Sequence, residues 1–131
     1  MSVPLFVSER SKPKITTQRL SVGCLIYEQM DQMDLTGPFE VLSRMPDTSI
    51  LIIGKEIAPV RDVQGFRLSP DARIAEAELF DVLVVPGGYR QQALMRDQEV
   101  PALIREHERK EKLVFSVCTG VLLCGAAGGL V

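Results

Sequence analysis

Phe115-Ser-Val-Cys-Thr-Gly-Val-Leu-Leu-Cys-Gly-Ala-Ala-Gly-Gly129 is the stretch that decides the fold. The apolar run Leu113–Val117 feeds without a polar linker into an apolar, glycine-rich segment of helical character, and a cysteine sits at the junction. Strand, tight turn and helix in that order make a nucleophile elbow. Its apex residue takes a strained backbone, and small residues two before and two after it let strand and helix approach. Ser116 and Gly120 meet that demand around Cys118. The Cys118 sulfur is then expected at an exposed apex, at the positive end of the following helix, a setting that activates a sulfur nucleophile.

Working outward, three more short apolar runs carry the same character: Ser21–Tyr27, Ser49–Ile53 and Asp81–Val85. They are rich in β-branched residues and lack strict polar alternation, as strands buried on both faces do. Helix-like stretches separate them. Asp34–Met45 reads as a helix with Pro38 in its first turn behind Thr36 and Gly37 as caps, and Asp97 reads as the cap of a second helix with Pro101 in its first turn. Val60–Ser69 reads as a short hairpin. The fold class is therefore α/β, a mostly parallel sheet flanked by helices.

Such sheets bind ligands at the carboxyl ends of their strands. Cys118 is expected at such an end, whereas Cys24 falls within a strand and Cys124 within a helix. A second feature at a carboxyl end is Val85-Pro-Gly-Gly88, where the Gly88 N–H and the Thr119 N–H together can form a donor pocket for developing negative charge. A third follows the first strand: Met30–Pro38 contains Asp31 and Asp34. An acid facing the crevice is desolvated, which raises its pKa and lets it exchange protons at neutral pH; Asp34 is the candidate. The single histidine, His107, lies near the apolar face of its helix and reads as a packing residue.

The chain has 131 residues, 46% of them apolar, with 15 Lys+Arg against 17 Asp+Glu and a net charge of −2. That composition describes one domain and offers no electrostatic footprint for nucleic acid or an anionic membrane. No apolar run reaches the ~20 residues of a bilayer span. Three cysteines, each inside an apolar segment, argue for a reducing, cytoplasmic compartment rather than a disulfide scaffold, and give no zinc-site spacing. Residues 1–20, with Arg10, Lys12, Lys14 and Arg19 against Glu9 alone, read as a flexible basic tail before a domain over 21–131.

Asp34-Leu-Thr-Gly-Pro38, Val85-Pro-Gly-Gly88 and Ser116-Val-Cys-Thr-Gly120, in that order, resemble the ThiJ/PfpI superfamily, with its flavodoxin-like, class I glutamine-amidotransferase-like fold. Within it the segments are similar to those of isonitrile hydratases. The resemblance implies an enzyme that needs no cofactor or metal and hydrates a small-molecule isonitrile to an N-substituted formamide. Cys118 would be nucleophile, Asp34 general acid and base, and Gly88 and Thr119 the donors. Relatives commonly being dimers, it also implies a homodimer for the full-length form. Peptidase-like members carry His beside the cysteine; Thr119 stands there instead. Family members continue where this sequence stops at Val131, so the carboxyl-terminal part of the fold is expected to be missing and the fragment inactive. Two rival functions share the motifs: the ligand-sensing domain of an AraC-type transcription regulator, and an oxidative stress sensor in which Cys118 is oxidised.

Overall fold

The computed structural model describes residues 19–128; the expected basic tail lies outside them except for Arg19 and Leu20. In chain order the elements are β1 (Leu20–Leu25), α1 (Met33–Leu42), β2 (Thr48–Gly54), β3 (Val60–Arg61), β4 (Arg67–Leu68), β5 (Ala72–Arg73), a 3-10 turn (Ile74–Glu76), β6 (Val82–Val85), α2 (Gln91–Met95), α3 (Glu99–Arg109), β7 (Leu113–Ser116) and α4 (Gly120–Ala126). Five strands form one sheet in the order β5-β2-β1-β6-β7, and every neighbouring pair is parallel. The chain winds from β1 to β2 and β5 on one side, then crosses to β6 and β7 on the other. The direction changes between β1 and β6, which opens a crevice at their carboxyl ends.

Apolar side chains of the two central strands, among them Val22, Leu25, Leu83 and Val85, are fully buried and pack with Leu35, Ile104 and Leu123 from the covering helices. Burial on both faces does not extend to β7, where Leu113 and Phe115 are 69% and 50% exposed. This strand pairs only with β6 among the described residues, and α3 and α4 contact it.

Local signals explain the helix ends. Asp97 Oδ2 accepts the N–H groups of Glu99 and Val100, both at 3.1 Å, and so caps α3 as its sequence implies. Helix α1 departs from expectation at its caps: it ends at Leu42 rather than Met45, and it begins at Met33, so Thr36, Gly37 and Pro38 lie inside it. The reason for that start is Asp31, whose Oδ1 accepts the Met33 N–H at 3.1 Å, while the Thr36 N–H already reaches the Gln32 carbonyl at 2.8 Å. Pro38 then merely withholds the donor that the Asp34 carbonyl would otherwise receive. The Val60–Ser69 hairpin forms as β3 against β4, tightened by Asp62 Oδ1, which accepts from the N–H groups of Gln64 (2.9 Å) and Phe66 (2.7 Å).

His107 is fully buried. Its Nε2 accepts the Phe80 N–H at 3.0 Å, so its proton sits on Nδ1, 2.8 Å from the Leu103 carbonyl. The ring stacks on Phe80 with centroids 6.1 Å apart and planes 11° from parallel. Burial lowers its pKa and holds it neutral. This packing role joins α3 to the loop entering β6.

Candidate active site

The elbow forms because β7 and α4 can approach β6 closely. The Val117 N–H meets the Val85 carbonyl at 3.0 Å, and the Gly120 N–H returns to the Val117 carbonyl at 3.0 Å. A Cβ on Gly120 would stand 2.2 Å from the Val85 carbonyl oxygen, so only glycine admits this approach. Between them Cys118 takes φ 53°, the left-handed region that costs a residue with a side chain about 1–3 kcal/mol when the surroundings impose it. Cys118 is exposed, while Cys24 and Cys124 are buried. Burial pushes the Cys24 thiol up to about 12 and the Cys124 thiol upward as well. One thiol of the three is thus presented to solvent.

Cys118 and Thr119 line a cleft of about 390 Å³ together with Gly88, Asp31, Tyr89 and Gln91. The Gly87-Gly88 backbone links the elbow to the entrance of α1 by two hydrogen bonds. On one side the Gly87 N–H donates to Asp34 Oδ2 at 3.1 Å; on the other the Gly88 N–H donates to Thr119 Oγ1 at 3.2 Å. Gly87 has no room for a side chain, since a Cβ there would lie 2.5 Å from Thr119 Oγ1. Asp34 meets the elbow side through the Gly87-Gly88 backbone, and Asp31 is the acid among the cleft-lining residues. Burial raises the Asp34 pKa and the neighbouring Asp31 adds to it, against the Gly87 hydrogen bond.

Of the four residues singled out by sequence, Cys118, Thr119 and Gly88 share the cleft, and Asp34 meets them through Gly87. Two further residues were not anticipated. Tyr27, just past β1, is buried and donates its hydroxyl to the Pro86 carbonyl at 2.7 Å, tying the carboxyl ends of β1 and β6 together. Burial, and then the fields of Asp34, Cys118 and Asp31, raise its pKa, which marks these four groups as neighbours. An aromatic residue ending the first apolar run was the available signal. The other is Gln91, at the start of α2 and only 6% exposed, whose Oε1 has no hydrogen-bond partner. A buried carbonyl left unpaired costs about 1–3 kcal/mol. Nothing in the local sequence announces it.

A second hollow of about 360 Å³ lies on the far side of Tyr27, beside Arg90 and the Lys55–Asp97 ion pair (2.6 Å); no Cys, Ser, Thr or His lines it. Among the described residues no group of three or more His, Cys, Asp or Glu side chains could hold a metal ion, and no helix is long and apolar enough to cross a membrane.

A parallel sheet whose switch-point crevice receives a strained cysteine elbow defines an α/β protein of the flavodoxin-like, cysteine-elbow class. The chain belongs to the DJ-1/PfpI family, whose model matches residues 20–131. It is 38% identical over 109 residues to the isonitrile hydratase of Pseudomonas putida, a match covering 83% of this chain and 48% of that protein. The chain thus spans about half the length of that relative. The crystal structure of a ThiJ/PfpI family protein from Pseudomonas syringae superposes with a TM-score of 0.78 at 30% identity, covering 86% of this chain and 48% of that one. Drosophila melanogaster DJ-1beta shares the fold, with a TM-score of 0.77 at 22% identity over 85% of this chain and 61% of its own.

Proposed function

We propose that this domain, in the full-length form, hydrates an isonitrile to an N-substituted formamide, with Cys118 as nucleophile. The observation that carries the reading is the exposed Cys118 at φ 53° in a cleft whose glycine wall touches Asp34 on one side and Thr119 on the other. The thiol adds across the terminal carbon: a sulfur–carbon bond forms, the thiol's proton ends on that carbon, and R–N≡C becomes the thioimidate R–N=CH–S. Water then adds to the same carbon as the nitrogen takes a proton. Collapse of that adduct expels the sulfur, which regains its proton, and releases R–NH–CHO.

Asp34 suits the proton transfers because burial raises its pKa from the ordinary carboxylate value and so favours the proton-carrying form that a general acid needs. Thr119 Oγ1 accepts the Gly88 N–H, which leaves its own hydroxyl hydrogen free to donate into the cleft beside the Thr119 N–H. Gly88 in this reading acts through the Thr119 hydroxyl. The 38% identity to an isonitrile hydratase supports the reaction class.

The test exposes the full-length form and its Cys118→Ser variant to an alkyl isonitrile, following formamide by NMR and the covalent thioimidate by intact mass. The expected result is an adduct of one isonitrile mass and formamide release in the parent chain only. Equal formamide formation by the serine variant would remove Cys118 from the reaction.

A further inference from the structure

Gln91 stands apart from the other buried polar side chains. The described residues bury three such groups: Asp62, His107 and Gln91. Asp62 accepts two backbone N–H groups, and both nitrogens of His107 are bonded. Only Gln91 keeps an oxygen without a donor. An apolar side chain of similar length would fill the position without leaving a polar atom unpaired, so packing alone does not account for a glutamine there. Its location does: Gln91 lines the same cleft as Cys118 and Thr119, with its side-chain oxygen buried in the wall.

We infer that Gln91 is a positioning residue for the occupant of the Cys118 cleft, its side-chain carbonyl accepting a hydrogen bond from an N–H next to the carbon that the sulfur holds. The terminal torsion of a glutamine is soft, so the oxygen turns toward an occupant without displacement of α2. The inference rests on the reaction proposed above and gives it a direction. An isonitrile nitrogen carries no hydrogen. The nitrogen gains one when water adds to the thioimidate, and keeps it in the formamide. An acceptor at Gln91 therefore binds the hydrated adduct in preference to the substrate, and interactions of that kind raise turnover rather than substrate affinity. The other polar groups in the wall divide the work: Thr119 donates toward the carbon's oxygen, and Gln91 accepts from its nitrogen.

The experiment compares the parent chain with Gln91→Met, which keeps length and removes the acceptor, and Gln91→Glu, which keeps an acceptor. Cys118 is alkylated with iodoacetamide, which bears N–H, and with its N,N-dimethyl analogue, which does not. Each rate is read by intact mass and divided by that of free cysteine. The parent chain and Gln91→Glu should favour iodoacetamide about tenfold, one hydrogen bond's worth of discrimination, and Gln91→Met should lose the preference. With an alkyl isonitrile, Gln91→Met should lower kcat about tenfold and leave KM within about twofold. An unchanged alkylation ratio in Gln91→Met, with that variant folded by its melting curve, overturns the inference. If that ratio falls as expected but the parent chain makes no formamide, the acceptor stands and the isonitrile reaction falls. If formamide forms at equal kcat in both and the ratio holds, the reaction stands and Gln91 has no part in it.

Discussion

His107 gives the sharpest stability prediction because every part of its environment is defined. Replacing it with alanine removes a fully buried ring from Phe80, strands the Phe80 N–H and frees the space between α3 and the entry to β6. Truncating a buried aromatic ring costs about 3–5 kcal/mol, and an unpaired buried N–H about 1–3 kcal/mol. The two overlap, so a loss of about 4 kcal/mol is expected, a large share of the roughly 5–15 kcal/mol that holds a domain together. The pH dependence is equally specific. The folded-state pKa of His107 is lowered by burial from the ordinary 6.5. Below that value the unfolded chain takes up a proton that the folded protein refuses, so stability declines as pH falls from 7 through 6.5 toward the lowered folded-state pKa. Each unit of depression corresponds to about 1.4 kcal/mol. Asp81, whose pKa is lowered by the Ser21 backbone N–H and hydroxyl and by Lys112, loses its contribution only as pH falls below about 4, a separate window. Urea unfolding of the parent chain and of His107→Gln between pH 7 and 5 isolates the histidine: the parent curve should slope downward and the variant should stay flat. Parallel curves, or a loss under about 1 kcal/mol in His107→Ala, would refute the assignment of a neutral, doubly bonded ring.

Gly120→Ala should cost about 1–3 kcal/mol by driving α4 off β6, because the new methyl meets rigid backbone at Val85 and Pro86 rather than a movable side chain. Urea unfolding reads that loss, and a changed alkylation rate at Cys118 should accompany it as the elbow opens. Asp34→Asn keeps an acceptor for the Gly87 N–H while removing a carboxylate that burial and Asp31 both disfavour, so stability at pH 7 should hold or rise. Isonitrile turnover should fall by about 10²–10⁴-fold, the usual worth of a general acid–base, and unaltered turnover would clear Asp34 of that role.

How much was legible depends on the range over which each feature is encoded. The elbow could be read because its requirement is local: Ser116 and Gly120 stand two residues either side of Cys118. The four long strands could be read from continuous β-branched runs, and the α3 cap from Asp97 a few residues ahead. β5 could not, since two residues carry no period. The cap of α1 is hidden because Gly37-Pro38 is a stronger written signal than Asp31, although the Asp31 side chain is what opens the helix. Asp34 illustrates the long-range limit. Its carboxylate is held by an N–H 53 residues further along, and no spacing within its own segment could show that partner. Gln91 lies at the same limit, as a polar residue buried by tertiary packing alone.

These departures from local rules are not scattered. A cysteine in the left-handed region, a carboxyl group held against its preferred charge and an amide carbonyl without a donor each cost stability, and all three gather at the carboxyl ends of β1, β6 and β7. Elsewhere among the described residues the buried polar side chains are satisfied, as at Asp62 and His107. A fold that satisfies buried polar groups at Asp62 and His107 but leaves the Gln91 oxygen open beside an exposed, strained thiol fits the proposal that this cleft receives something from solution. That contrast supports the proposed site at Cys118 without drawing on any relative's activity.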